Sequence, residues 1–182
     1  MDDGYNRPSS DVITTHGGNE VSDYRSTLDV FYKNWKEFMD TVTAAIAPLT
    51  ADQLSLRAAP NERSVGEIAQ HIVKARIEWL CDFIRESGDE IAPYRQWDTK
   101  DAPTRDAAEL VQGLNMTWNF MAERFARWTS EDMQFTFPKE WGGQHYDNPR
   151  SWVVWHVLEH DLQHAGEISL TLGMHGIQAP RP

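Results

Sequence analysis

Trp155-His156-Val157-Leu158-Glu159-His160-Asp161-Leu162-Gln163-His164-Ala165-Gly166-Glu167-Ile168 sets three histidines four residues apart on one uninterrupted stretch. Residues four apart share a helix face, so consecutive pairs of these imidazoles can reach one ion. Each such step also rotates by about 40° at ~100° per residue. The apolar arc of the stretch holds Val154, Val157, Leu158, Leu162, Ala165, Ile168 and Leu172. Projection puts His164 nearest that arc, His160 at its edge and His156 farther toward solvent. Periodicity alone therefore prefers His160 and His164 as the inward pair. Burying both requires a hydrogen-bond or metal partner for each inner nitrogen. Spacing alone leaves two readings open, a metal-binding pair or a solvated helix edge.

This helix is expected to begin at Asn148-Pro149, a cap followed by proline in the first turn, and to stop near Met174 beside Gly173 and Gly176. Three further segments carry the same 3.6-residue apolar period. The first runs roughly from Asp23 to Pro48, with Leu28, Phe31, Tyr32, Trp35, Phe38, Met39, Val42, Ala45, Ile46 and Leu49 in its stripe. The second opens at Ser64, which Glu67 answers as a capping box, and Gly88 ends it. Its stripe is Val65, Ile68, Ile72, Ala75, Trp79 and Phe83. The third follows Pro103 with Thr104 as its cap, and Leu110, Leu114, Trp118, Met121, Phe125 and Trp128 line its inner face. Strand signals are weak, since Pro138 cuts short the alternation of Phe135-Thr136-Phe137. The expectation is an all-α four-helix bundle over residues 23–182, with long inter-helix loops and a flexible polar tail over residues 1–22. Loops of that length often form a lid or a binding surface.

Composition narrows the function classes. A chain of 182 residues with 40% apolar content suits one domain with a sizeable core. No apolar run approaches the ~20 residues that span a bilayer, and the polar start does not resemble a secretory signal. Cys81 is the single cysteine, which excludes an internal disulfide and a thiolate-rich zinc knuckle. The absence of both signal and disulfide favours the cytoplasm. A net charge of -11, with no cluster of Lys and Arg, argues against a phosphate backbone or an anionic membrane surface as partner.

The remaining histidines differ in promise. His71 sits on the flank of the second helix's stripe, one turn beyond Glu67, and points along a seam between helices. A lone histidine there is more often a hydrogen-bonded boundary residue than a ligand. His16 falls in the tail, His145 in the third loop and His175 beside the terminal glycine, where exposure and capping are the expected roles. Cys81 reads as a small core residue.

Two stretches resemble the DinB/YfiT-like superfamily of metal-binding four-helix proteins. Ser64-Val65-Gly66-Glu67-Ile68-Ala69-Gln70-His71-Ile72 is similar to that family's S-x-x-E-I-x-x-H-I opening of the second helix. The stretch from Trp155 to Ile168 is similar to its H-x3-H-x-G-x-I helix, and Leu172-Gly173-Met174-His175-Gly176 to its ending. The resemblance implies a metal-binding triad of His71, His160 and His164. In the family pattern the last histidine stands two places before the glycine, which selects His164 and leaves His156 outside. Some members use a carboxylate as the middle ligand, where this chain has His160.

The resemblance further implies a divalent ion, zinc or nickel, with an open position for water or a substrate atom. Characterised relatives include S-transferases and isomerases that use low-molecular-weight thiols such as mycothiol or bacillithiol. Others carry only a hydrolase label, and members are often dimers. Thiol-dependent S-transferase chemistry on a small-molecule substrate is the favoured reading. The alternatives are a metal-dependent hydrolase and a non-catalytic bundle that binds a metal or small ligand. A di-iron carboxylate bundle would need paired Glu-x-x-His motifs, and this chain contains none. A role on DNA, suggested by the family's name, conflicts with the charge. Around the triad, Trp141 with Gly142 and Gly143 is a candidate for the pocket mouth, and His156 for a group behind the ligands or a proton shuttle. Arg95 and Tyr94 are candidates for meeting an anionic substrate, whereas Glu159 and Glu167 are expected to project outward into solvent.

Overall fold

In the computed structural model residues 20–99 and 102–180 are described, with side chains from Leu28 onward except at Trp141. Four long helices form the bundle: α1 (Glu20–Ile46), α3 (Val65–Ile77), α4 (Ala107–Arg127) and α6 (Arg150–Met174). Short helices α2 (Ala51–Leu54) and α5 (Ser130–Gln134) and a hairpin of β1 (Thr136–Trp141) and β2 (Gln144–Pro149) fill the connections. Helix α3 packs on both α4 and α6, and α1 packs on the same two helices from the other side. Of the tail expected over residues 1–22, residues 1–19 lie outside the described residues, and α1 begins at Glu20.

The helix starts follow local chemistry. Ser64 accepts a hydrogen bond from the Glu67 N–H while the Glu67 carboxylate accepts from the Ser64 N–H, the reciprocal pairing expected from the sequence. The same box forms at Thr50 and Gln53, Asp106 and Glu109, and Thr129 and Asp132. The cap of α4 is therefore Asp106 and not Thr104. A cap at Thr104 would put Ala107 three residues on, with no side chain to answer. Helix α6 also starts later than expected: Pro149 is its cap residue and Asn148 belongs to β2.

The helical ladder of α3 does not run to Gly88. At Glu78 it widens into a π-helical turn through Phe83, and the chain turns away at Arg85, which takes a left-handed conformation (φ 64°). Most π-helical turns are single insertions at functional sites. The loop that follows holds a 3-10 helix, Asp89–Tyr94, and buries Trp97.

Pro138 does not end the strand. It pairs with Asp147 in an antiparallel hairpin whose two-residue turn is Gly142-Gly143, with φ of 57° and 76°. Such a turn needs two left-handed residues, which glycine supplies without steric cost. A two-stranded ribbon has only edges, so proline's missing N–H can face outward.

The expected stripes form the core. All six inner-face residues of α4 are buried, as are Trp35, Met39, Val42 and Ile46 of α1 and Val157, Ala165, Ile168 and Leu172 of α6. Each large apolar side chain removed from water contributes roughly 1.5–3 kcal/mol. Phe31 and Leu162 depart from their stripes and are exposed. Cys81 is buried, and its burial pushes the thiol pKa up to about 11, leaving it unreactive at neutral pH.

Two fully buried charges cross this core. The Arg76 guanidinium on α3 donates to both Asp161 carboxylate oxygens on α6, with Nη2 2.7 Å from Oδ2 and Nε 3.1 Å from each oxygen. Its Nη1 donates to the Leu114 carbonyl at 3.0 Å and to the Thr117 hydroxyl at 3.2 Å on α4. Trp35 Nε1 of α1 donates to the same carboxylate at 2.9 Å. One polar network thus ties all four long helices together. Burial pushes the Asp161 carboxyl upward, while the guanidinium and the indole N–H draw it back toward the ionised form. Among the described residues no helix is long and apolar enough to cross a membrane.

Candidate metal centre

The α3–α6 seam brings His71, His160 and His164 together, one ligand-capable atom of each lying within 4.8 Å of the others. His160 Nε2 stands 3.0 Å from His71 Nε2, and ring centroids are 4.3 Å apart for His160 and His164 and 4.8 Å for His71 with either partner. Nitrogens sharing a tetrahedral ion at ~2.0–2.1 Å stand about 3.3 Å apart, so side-chain adjustments on the order of 1 Å complete the set. Helix α6 presents His160 and His164 as the projection requires, with His164 the more buried.

Carboxylates hold two of the three rings from behind. His71 Nδ1 donates to Asp98 Oδ2 at 2.6 Å and His164 Nδ1 to Glu167 Oε2 at 2.7 Å. A proton fixed on Nδ1 leaves a lone pair on Nε2, the tautomer that a metal-ligating histidine adopts under a carboxylate. The donor set fits a divalent ion: neutral imidazoles, oriented by carboxylates, with their Nε2 edges converging. Asp98 escaped the sequence reading because it lies in the loop after the 3-10 helix. Glu167 does not project into solvent as expected: three residues after His164, it lies on the same helix face and reaches the ring.

Electrostatics favour the neutral ligands. Burial pushes the His160 pKa down to about 3, helped by the neighbouring His164 and His71 rings. Burial also lowers His71, against the upward pull of Asp98. Both rings are neutral at neutral pH, as coordination requires.

The site opens on His164's side into a cavity of about 330 Å³ that Asn61, Glu62, Arg63 and Glu167 line with polar groups. Arg63 Nη2 also donates to Asp98 Oδ2 at 3.2 Å, so one carboxylate serves His71 and a cation at the cavity wall. On the other side His156 stacks flat on Trp152, with centroids 5.1 Å apart and planes 3° apart. Its centroid lies 6.4 Å from that of His160, beside the triad and outside it. Trp141 ends β1 opposite Gln144, and its side chain lies outside the described part of the structure. The other candidates fall away from the site: Tyr94 is buried against Trp97, and Arg95 pairs with Asp82. His145 pairs with Asp147 on the hairpin, His175 reaches the Arg57 carbonyl, and His16 lies outside the described residues.

Comparison with known proteins agrees with this arrangement. The crystal structure of a DinB-like protein from Bacillus cereus ATCC 10987 is similar, with a TM-score of 0.60 and 21% sequence identity over 84% of this chain and 95% of that one. At that identity the likeness concerns the fold. No curated protein matches the chain. The sequence model of the DinB superfamily matches residues 34–168, well over half of the chain and inclusive of the three histidines. With bundle, seam and motif in agreement, this chain belongs to the DinB superfamily.

Proposed function

We propose that the protein is a metal-dependent S-transferase that joins a low-molecular-weight thiol to a small electrophile. One observation carries the reading: three imidazoles converge at the α3–α6 seam, His164 at the wall of a cavity that also carries Asn61, Glu62 and Arg63, with two of the rings held by carboxylates. A zinc or nickel ion held by His71, His160 and His164 would supply the positive charge that keeps a thiol ionised near neutral pH.

The chain's own residues account for the rest. Asp98 and Glu167 hold His71 and His164 in the productive tautomer. Arg63, half-exposed at the cavity wall, and Asn61 offer donors to the carboxylate or hydroxyl groups such thiols carry. In the transfer the thiol sulfur forms a bond to the electrophilic carbon, the leaving group departs with its electron pair, and the thiol proton passes to solvent. The cytoplasm, where thiols stay reduced, suits this chemistry.

Purified protein loaded with zinc or nickel tests the reading directly. With a panel of thiols and a chromogenic electrophile, it should consume both faster than its His164→Ala variant does. Equal rates for both proteins across the panel would refute transferase chemistry and leave a binding bundle. Release of product without thiol consumption would instead support a hydrolase. Elemental analysis of protein purified without a histidine tag or added metal should find one first-row ion per chain.

A further inference from the structure

A second cavity of about 330 Å³ opens on the same seam, one helical turn from the triad on the side opposite Arg63. Its walls are Trp79 on the π-helical turn, Tyr146 on the hairpin and Trp152 on α6, with Lys139, Asn148 and His156 as polar members. Its volume is at the lower end of the range typical of small-ligand sites, and its lining of aromatic faces with few convergent polar groups is typical of them too.

Three features favour a planar ligand with an anionic end. The first is the parallel stack of His156 on Trp152, with Trp79 edge-on to both: 4.4 Å from His156 and 5.7 Å from Trp152 between centroids. This arrangement presents flat apolar surface on which a ring can stack. The second is Lys139, whose ammonium sits 3.8 Å from the centroid of the Trp79 ring. Burial disfavours its charged form more than the nearby Glu78 carboxylate restores it, so an anion bound in the cleft would add to a stabilisation that Glu78 supplies only in part. The third is that the lining itself, among the described residues, carries Lys139 and no carboxylate, in a chain whose net charge of -11 disfavours anions elsewhere. Trp79 lies on the widened turn Glu78–Phe83, an irregularity frequent at functional sites.

We propose that this cleft binds a planar aromatic carboxylate and serves as the acceptor subsite, while the cavity beside Arg63 takes the thiol. The assignment of a role in transfer rests on the S-transferase reading; binding does not. One cavity, beside His164, carries Asn61, Glu62 and Arg63, and the other, beside His156, is mainly aromatic, an arrangement that suits a reaction between a polar thiol and an apolar electrophile.

Titration calorimetry with 2-naphthoate, and with uncharged 2-naphthalenemethanol as control, tests the cleft on the full chain. The naphthoate should bind saturably, and Lys139→Met should weaken it at least about fivefold while leaving the alcohol unchanged. Trp152→Leu should weaken both by about tenfold or more, with far-UV circular dichroism confirming that each variant is folded. His164→Ala should bind naphthoate as the wild type does, so loss of transfer activity and loss of cleft binding register separately. Absence of saturable binding at ~10 mM would overturn the proposal. Binding that neither Lys139→Met nor Trp152→Leu alters would overturn it equally, by placing the ligand elsewhere.

Discussion

Replacing Arg76 by methionine removes the cation at the centre of the four-helix network while keeping a side chain of similar length. Asp161 would then lie fully buried, deprived of the guanidinium hydrogen bonds and left with Trp35 Nε1 as its remaining donor. Breaking a buried pair in this way costs about 3–5 kcal/mol, because one charge stays desolvated and uncompensated. Domain stabilities are about 5–15 kcal/mol, so the variant should lose roughly a fifth or more of its margin. At a urea slope of ~2 kcal/mol/M the midpoint should fall by about 2 M. Asp161→Leu alone should cost a similar amount by stranding the guanidinium. The double variant Arg76→Met/Asp161→Leu removes both charges and leaves mainly the Trp35 N–H without an acceptor, a penalty of ~1–3 kcal/mol. It should therefore be more stable than either single variant. A double variant destabilised by the sum of the two single effects would refute the reasoning, since it would show that the charges act independently.

Three other outcomes follow from the site and its support. Asp98→Ala should lower zinc affinity about 10- to 100-fold by freeing the His71 ring, measured by competition with a chromogenic chelator; unchanged affinity would show that the carboxylate does not orient the ligand. Metal-free protein should lose stability as pH falls from ~6.5 toward 3. His160, at about 3 in the folded chain and near 6.5 in the unfolded one, binds protons in the unfolded state first, so the native state is favoured above that window and progressively less within it. His71 acts in the same direction. His160→Gln should flatten the dependence of the urea midpoint on pH, and an unchanged slope would contradict the assignment. Gly113→Ala should destabilise by about 1–3 kcal/mol in thermal unfolding despite alanine's helix preference, because the new Cβ would meet the Trp97 ring at 2.5 Å. A neutral or raised midpoint would mean that Trp97 yields freely.

What could be read from the chain alone was what depends on local periodicity. The stripes of α1, α3, α4 and α6 repeat every 3.6 residues, and the triad projects from two of them, so the bundle and the histidine cluster were both legible. Capping was legible too, but unevenly: Asp106-x-x-Glu109 carries the same reciprocal signal as Ser64-x-x-Glu67, and Thr104 competed with it only as an isolated hydroxyl. The hairpin was hidden by a correct rule applied too far. Proline disfavours interior strands, whereas Gly142-Gly143 announces a two-residue turn between edge strands. Asp98 could not have been found by pattern, since its partner His71 is 27 residues away and no period links them.

Asp161 and Arg76 show how far such a reading could have gone. On the helical projection Asp161 falls within α6's apolar arc, between Ile168 and Leu172, and Arg76 falls beside Ile72 on α3. A charge at the centre of an apolar stripe is either misplaced or paired, and a stable fold leaves only pairing. Two opposite charges, each buried on helices that the histidine motif already brings together, could then have been matched with one another. Their consequence reaches the metal centre. Asp161 follows His160 directly, so the guanidinium that clamps it fixes the rotation of α6 about its own axis. A rotation of about 40° would give His164 the angular position His160 now holds and turn His160 toward solvent. The network contributes little to stability compared with an apolar core of equal volume. Its expense is better explained by the single helical register it enforces, the one in which three imidazoles on two helices share a point.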